Sequence, residues 1–168
     1  MKNFIFFFLF FIFFFSKSYS NESIVFIDFD KIMNQSNIGK TINNQINDFN
    51  KKKNDELKAL KLSLKKKEES LVTQKNIISS DDFNKRYANL KKEINEYNSL
   101  NKKISESQKN NLINQKKKLI NLLQPILADY MKENNIKYIM NKQNILIGRE
   151  DLNKTLEIIN IVNKKIKN

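Results

Sequence analysis

Apolar positions along the chain change period from zone to zone. Phe4 to Phe15 are uninterrupted apolar residues. From Ser23 the order Ser-Ile-Val-Phe-Ile-Asp-Phe-Asp makes residues 24 to 29 apolar on both faces, Asp28 excepted, which predicts a short buried strand. Asp30 to Gln35 has room for one helical turn, and Asn34-Gln-Ser-Asn-Ile-Gly39 supplies capping and turn residues. A helix without Gly or Pro is then predicted from about Lys40 to Ile78. Leu57, Leu64, Leu71 and Ile78 recur every seven residues, Leu60 adds an intermediate position, and Ile42, Ile46 and Phe49 form an earlier stripe offset by four. That is a coiled-coil seam with a stutter, and it is imperfect because Lys53, Lys67 and Gln74 stand where a tight zipper uses Leu or Val.

Ser79-Ser80-Asp81-Asp82 interrupts the stripe with hydroxyls that cap a new helix and acids that suit its positive end. Phe83, Tyr87, Leu90, Ile94 and Tyr97 then follow at helical spacing, with Asn101, Ile104, Gln108 and Gln115 on the same track and Leu119, Leu122, Leu123, Ile126 and Leu127 beyond. Pro125 removes one backbone bond and is expected to bend this helix near Asn121 without ending it. After Asn134-Asn135 the pattern predicts two short strands, Ile136 to Met140 and Ile145 to Gly148, joined by a turn at Lys142-Gln-Asn144. Asp151 is the expected cap of a terminal helix bearing Leu152, Leu156, Ile159, Asn163 and Ile166.

Helices of about 40 residues reach roughly 60 Å, more than a domain of this length is wide, so they fold back on each other. The predicted class is α+β, mostly α. A long antiparallel helical hairpin, residues 40–124, is inserted into a small β-containing body made of residues 21–39 plus 125–168.

The leading apolar run follows Met1-Lys2-Asn3 and precedes Ser18-Tyr19-Ser20, whose outer residues are small, as a signal peptidase requires. Residues 1–20 read as an export signal cleaved after Ser20. Twelve residues span roughly 18 Å, short of the ~30 Å hydrocarbon core that a membrane anchor must cross.

Composition narrows the chemistry. The chain has no Cys, no His, two Gly and one Pro. Disulfides, thiol nucleophiles, Cys/His zinc sites, imidazole catalysis and Gly-rich phosphate loops lose their usual residues, and no catalytic residue, metal site or cofactor is expected. Asp28 and Asp30 are closely spaced acids beside a strand, and Asp28 reads better as a capping residue than as an acid catalyst.

Charge is localised. The formal net charge is +13, and residues 40–124 carry 20 Lys/Arg against 10 Asp/Glu, whereas the body carries nine against eight. Lys, Asn, Ile and Phe share A/T-rich codons, so placement says more than the total. A nucleic-acid partner is not expected, because Lys dominates over Arg and no aromatic-basic motif of single-strand readers is present.

The order of parts resembles the Skp/OmpH-like periplasmic chaperones. The matching residues are Ile24-Val-Phe-Ile-Asp28 with Lys31-Ile32, then Ser36 and Gly39-Lys40, the capped turn Ser79-Ser-Asp-Asp-Phe83, and Tyr138-Ile-Met-Asn141 with Ile145-Leu-Ile147. The chain departs where a Gly commonly precedes the second strand, since Asn135 stands there, a residue that tolerates positive φ. The resemblance implies a homotrimer whose body forms a small central barrel, with Val25, Ile27, Phe29, Ile139, Ile145 and Ile147 as trimer-body residues. It also implies an ATP-independent holdase for unfolded outer-membrane β-barrel proteins, located in the periplasm. A membrane surface or lipopolysaccharide is a further partner it brings, although no basic three-residue patch stands out and Lys116-Lys-Lys118 is a charge run.

The residues themselves suit such a grip. Leu57, Leu60, Leu64, Tyr87 and Ile94 lie near the long stems of Lys53, Lys67 and their neighbours, so methylenes and charge are offered together to a client. Each of these apolar residues is also placed to pack one hairpin helix on the other, the commoner role at seam spacing. The polar seam positions Lys53, Lys67, Gln74, Asn101 and Gln108 either leave the arm loose enough to adapt or form a solvated face. A structural coiled-coil or envelope-tethering protein is the alternative, and it requires a more continuous seam.

Overall fold

The structure is a computed structural model and describes residues 23–166. The expected export signal and its cleavage point after Ser20 lie outside the described residues. The fold is α+β and mostly α. It runs β1 (Ser23–Ile27), α1 (Phe29–Gln35), α2 (Asn37–Gln74), α3 (Ser80–Glu133), β2 (Ile136–Asn141) and α4 (Thr155–Lys165), with short 3-10 turns at Lys142–Asn144 and Glu150–Leu152.

β1 and β2 pair in parallel, with Ile24 opposite Tyr138, Val25 opposite Ile139, Phe26 opposite Met140 and Ile27 opposite Asn141. Parallel neighbours cannot be joined by a tight turn. Here the crossover is the whole helical hairpin. On the far edge of β1, Asn153 bridges to Phe26, and the Lys154 amide donates to the Phe26 carbonyl at 2.9 Å.

Under the sheet a single core joins both ends of the chain. Val25 and Ile27 from β1, Ile32 and Met33 from α1, Ile42 and Ile46 from α2, Leu119, Leu123, Ile126 and Tyr130 from α3, and Ile158, Ile159 and Val162 from α4 form one cluster. The core therefore takes in the first turns of α2 and the last turns of α3. α3 runs unbroken across Pro125.

The junctions follow from capping chemistry. Asp28 caps α1 by accepting from the Lys31 amide at 2.9 Å, as its place in the sequence predicts. Its own amide donates to the Thr155 hydroxyl at 2.8 Å, which ties the end of β1 to the start of α4. Ser36, fully buried, caps α2 by accepting from Gly39 N at 3.1 Å. Ser79 caps α3 by accepting from Asp82 N, with Asp81 and Asp82 in the first turn. Asn135 takes φ 51°, the left-handed conformation anticipated for it.

Two expectations are corrected. Ile145 to Gly148 is not a strand. It follows the 3-10 turn at 142–144 and crosses the outer face of β1, where a Cβ on Gly148 would meet the Phe26 ring at 3.1 Å. Apolar residues alone do not make a strand, and the described chain offers this segment no ladder. Asp151 is not the cap of the terminal helix. Its carboxylate takes two hydrogen bonds from Arg149, which hold it below the usual carboxylate range, and the helix begins at Thr155.

Gly39 marks a close approach of α2 to α1, since a Cβ there would clash with the Met33 carbonyl oxygen. Gly39→Ala should lower stability by about 2 kcal/mol in urea melts, although Ala is the better helix former and would raise it at an unhindered site. Tyr130 donates to Glu157 Oε2 at 2.8 Å, and burial, followed by this bond, pushes its phenol well up from 10.0. A raised folded-state value contributes stability below the unfolded value and loses it as pH climbs beyond. Melting temperature should thus fall above pH 10, and Tyr130→Phe should flatten that alkaline limb while costing about 1 kcal/mol at neutral pH.

Candidate functional site

Two surfaces leave apolar side chains unsealed. The first is the outer part of the hairpin. α2 and α3 pack antiparallel, and their contact is closed only at intervals: Leu71, Leu90 and Ile104 are buried, Leu57 and Leu64 half-buried. Leu60, Leu62, Val72, Tyr87 and Ile94 are exposed. Clefts open on both sides of Leu64. One is lined by Leu62 and Ile94 with Lys58, Lys61 and Lys65; the other by Leu60, Tyr97 and Leu100 with Glu93, Glu96 and Lys67. Phe83 and Tyr87 stack near the far end with ring centroids 6.3 Å apart.

The polar seam positions are not all loose. Lys67 Nζ bonds both oxygens of Glu93, at 2.6 and 2.7 Å, across the two helices. Gln74 accepts from Arg86, again from one helix to the other. Lys53 pairs within its own helix with Glu56 at 3.0 Å. Lys53 and Lys67 are therefore engaged ion-pair partners, whereas Leu60, Tyr87 and Ile94 are the accessible apolar members of the sequence-derived set.

The second surface lies at the base. Strand alternation turns Val25 and Ile27 into the chain's own core and Ile24 outward beside Tyr138 and Met140, all three exposed. Of the body residues singled out from the sequence, Val25 and Ile27 are buried, and Phe29 and Ile139 pack against the core. Ile145 is half-buried, while Ile147 is 90% exposed and its neighbour Leu146 fully so. Ile24, Tyr138, Met140 and Leu146 were not singled out from the sequence, although alternation from Val25 and Ile27 would have flagged Ile24. Among the described residues β2 has no strand on its outer edge. Beside it a groove of about 710 Å³ is lined by Phe29, Ile120, Leu127, Met131, Ile139 and Met140.

A family model of outer membrane proteins, OmpH-like, matches residues 23–162. The chain belongs to the OmpH-like family. Among solved structures it is similar to an OmpH-like protein from Caulobacter crescentus CB15, named as a candidate outer membrane chaperone. That likeness has a TM-score of 0.65 at 14% identity and covers 88% of each chain, which establishes a shared fold. A comparison with curated proteins gives no match. In this OmpH-like chain the matched span includes both unsealed surfaces.

Apolar closure and surface charge can be separated along the hairpin. Leu90→Ala removes a buried side chain and should cost about 2–3 kcal/mol, whereas Lys67→Ala opens an exposed pair and should cost no more than about 1 kcal/mol, a loss that vanishes in high salt. Urea melts of both variants at low and high salt read the difference.

Proposed function

We propose that this OmpH-like chain is an ATP-independent holdase of the periplasm, exported by a signal cleaved after Ser20, that keeps unfolded outer-membrane β-barrel proteins from aggregating. Clients are held between helical arms, residues 40–124, of a homotrimer assembled through the body, residues 21–39 plus 125–168. The observation that carries the reading is the state of the arm seam. Tyr87, Ile94, Leu60 and Leu62 are exposed instead of sealed between helices, and Leu62 and Ile94 share a cleft with Lys58, Lys61, Lys65 and Glu68. Many weak contacts of this kind bind chains without regard to sequence, and the arm's excess of Lys draws acidic ones by a salt-sensitive attraction. The same attraction extends to a membrane surface or lipopolysaccharide. A tethering coiled coil would have little use for a seam open at these positions.

The base supports assembly on different grounds. An apolar groove, an open strand edge and the adjacent exposed side chains of Leu146 and Ile147 are features that subunit contact covers. No reaction and no cofactor belong to this reading.

Light scattering of the mature chain should give a trimer; a stable monomer or dimer would remove the cavity. Turbidity of a diluted, urea-unfolded barrel protein should be suppressed at one trimer per client, and unchanged turbidity would sink the holdase. Tyr87→Ser with Leu62→Ser should weaken suppression severalfold without altering the trimer and with little change in melting, because each side chain is more than half exposed.

A further inference from the structure

Exposed apolar side chains of the hairpin gather on one of its two sides. The cleft lined by Leu62, Ile94, Lys58, Lys61 and Lys65 marks that side. Tyr87 stands seven residues before Ile94, and Val72 seven beyond Lys65, two turns in each case, so both lie over the same flank. Leu112 follows Ile94 by eighteen residues, five full turns of α3. Ile113 and Ile120 continue beside it to the mouth of the base groove, which Ile120 and Lys116 line. All of these apolar side chains are exposed.

The other side is built differently. Its upper pocket is lined by Ser63, Lys66, Ser70, Gln74, Arg86 and Asn89, and its lower cleft carries Glu93 and Glu96. Among the described residues Leu60 is the one large apolar side chain exposed there. On the apolar side lysines prevail: Glu68 is the one carboxylate lining the cleft against Lys58, Lys61 and Lys65. Lys91 and Lys109 stand three residues before Ile94 and Leu112, one turn away on the same face. That fringe complements a chain with acidic residues.

The apolar groups on this side form two clusters. Leu62, Val72, Tyr87 and Ile94 make the outer one, and Leu112, Ile113 and Ile120 the inner one. Between Ile94 and Leu112 the same face of α3 offers Asn98, Asn101 and Ser105, over roughly 27 Å of helix axis. An extended chain covers that distance in about eight residues. A membrane-spanning strand is close to this length, about 9–11 residues, and its barrel carries aromatic girdles on both sides of an apolar band about 25 Å tall.

We propose that each arm holds client on this side alone, the two clusters gripping two apolar groups about eight residues apart in one extended, acidic segment. Resting on the holdase reading, the two-point grip adds a length preference matched to a single barrel strand. Leu60 takes no part in it, and the track ends at the mouth of the groove, which subunit contact covers. A spacer that matches the span gives the second contact a high effective concentration, whereas a short one cannot reach and a long one dilutes it.

Fluorescence anisotropy of the mature chain with labelled, unstructured peptides tests the spacing. Each peptide carries two Leu-Tyr pairs separated by three, eight or sixteen residues of Gly, Ser and Asp. The eight-residue spacer should bind about tenfold more tightly than the three-residue one and severalfold more tightly than the sixteen-residue one. Leu112→Ser with Ile113→Ser should erase that advantage, whereas Leu60→Ser on the opposite side should leave it intact. Affinity independent of spacer length in the unmodified chain, which needs no variant, would overturn the two-point grip, and an equal loss in Leu60→Ser would overturn the choice of side. Turbidity of an unfolded barrel protein reads the holdase separately. Suppression without a spacer preference overturns the grip and leaves the holdase standing; a spacer preference without suppression does the reverse.

Discussion

The parallel pairing of β1 with β2 is the constraint on which the rest of the molecule depends. Because parallel strands need a crossover, the chain that leaves β1 at Ile27 must travel back to the other end of the sheet before β2 begins at Ile136, beside Ser23. Two long helices joined at Ser79 meet that requirement. Both feet of the hairpin are then drawn into one core with α1 and α4, where Ile32, Ile42, Leu119, Leu123, Ile158 and Val162 lose all or nearly all contact with water. Asp28 and Thr155 fasten the same point from the other side. Stability is concentrated at this end and declines towards the tip.

Much of this was legible from residue order, for definite reasons. Helix periods survive in sequence because they depend on neighbours within one helix, so the stripes of Leu57, Leu64 and Leu71 and of Leu90, Tyr97 and Ile104 locate the hairpin. Caps are equally local, and Asp28, Ser36 and Ser79 act where their side-chain oxygens predict. Pairing across the chain is less legible. Ile145-Leu146-Ile147 has the composition of a strand, but a strand needs a partner's ladder, and in the chain itself the segment lies over Phe26 instead. The exposure of Tyr138, Met140 and Leu146 was missed because apolar content signals a core, while strand phase decides which face is inside.

Electrostatics and apolar closure act on different scales along the hairpin. The helices share two cross-links near the outer part, Lys67 with Glu93 and Gln74 with Arg86, both solvent-facing and weak. Burial of Leu71, Leu90 and Ile104 outweighs them, since one fully buried Leu contributes roughly 1.5–3 kcal/mol. The ionic and amide contacts therefore set orientation and register more than strength. A charge excess that stabilised the hairpin would consist of pairs; most of the lysines are instead left to face solvent and any approaching chain.

Contiguity separates the two unsealed surfaces. At the base, Leu146 and Ile147 are adjacent, close to Ile24 and Met140, and bordered by an open strand edge, a combination that aggregates unless another chain covers it permanently. On the hairpin the exposed side chains are spread along its length, and Leu62 and Ile94 share one cleft with lysine stems. Scattered apolar groups under a cationic fringe stay soluble when empty and release what they hold, because no single contact is strong. On the proposed reading, the fold divides opposite requirements between its two ends: lasting association of identical chains at the base, and reversible contact with chains of no fixed sequence on the outer hairpin.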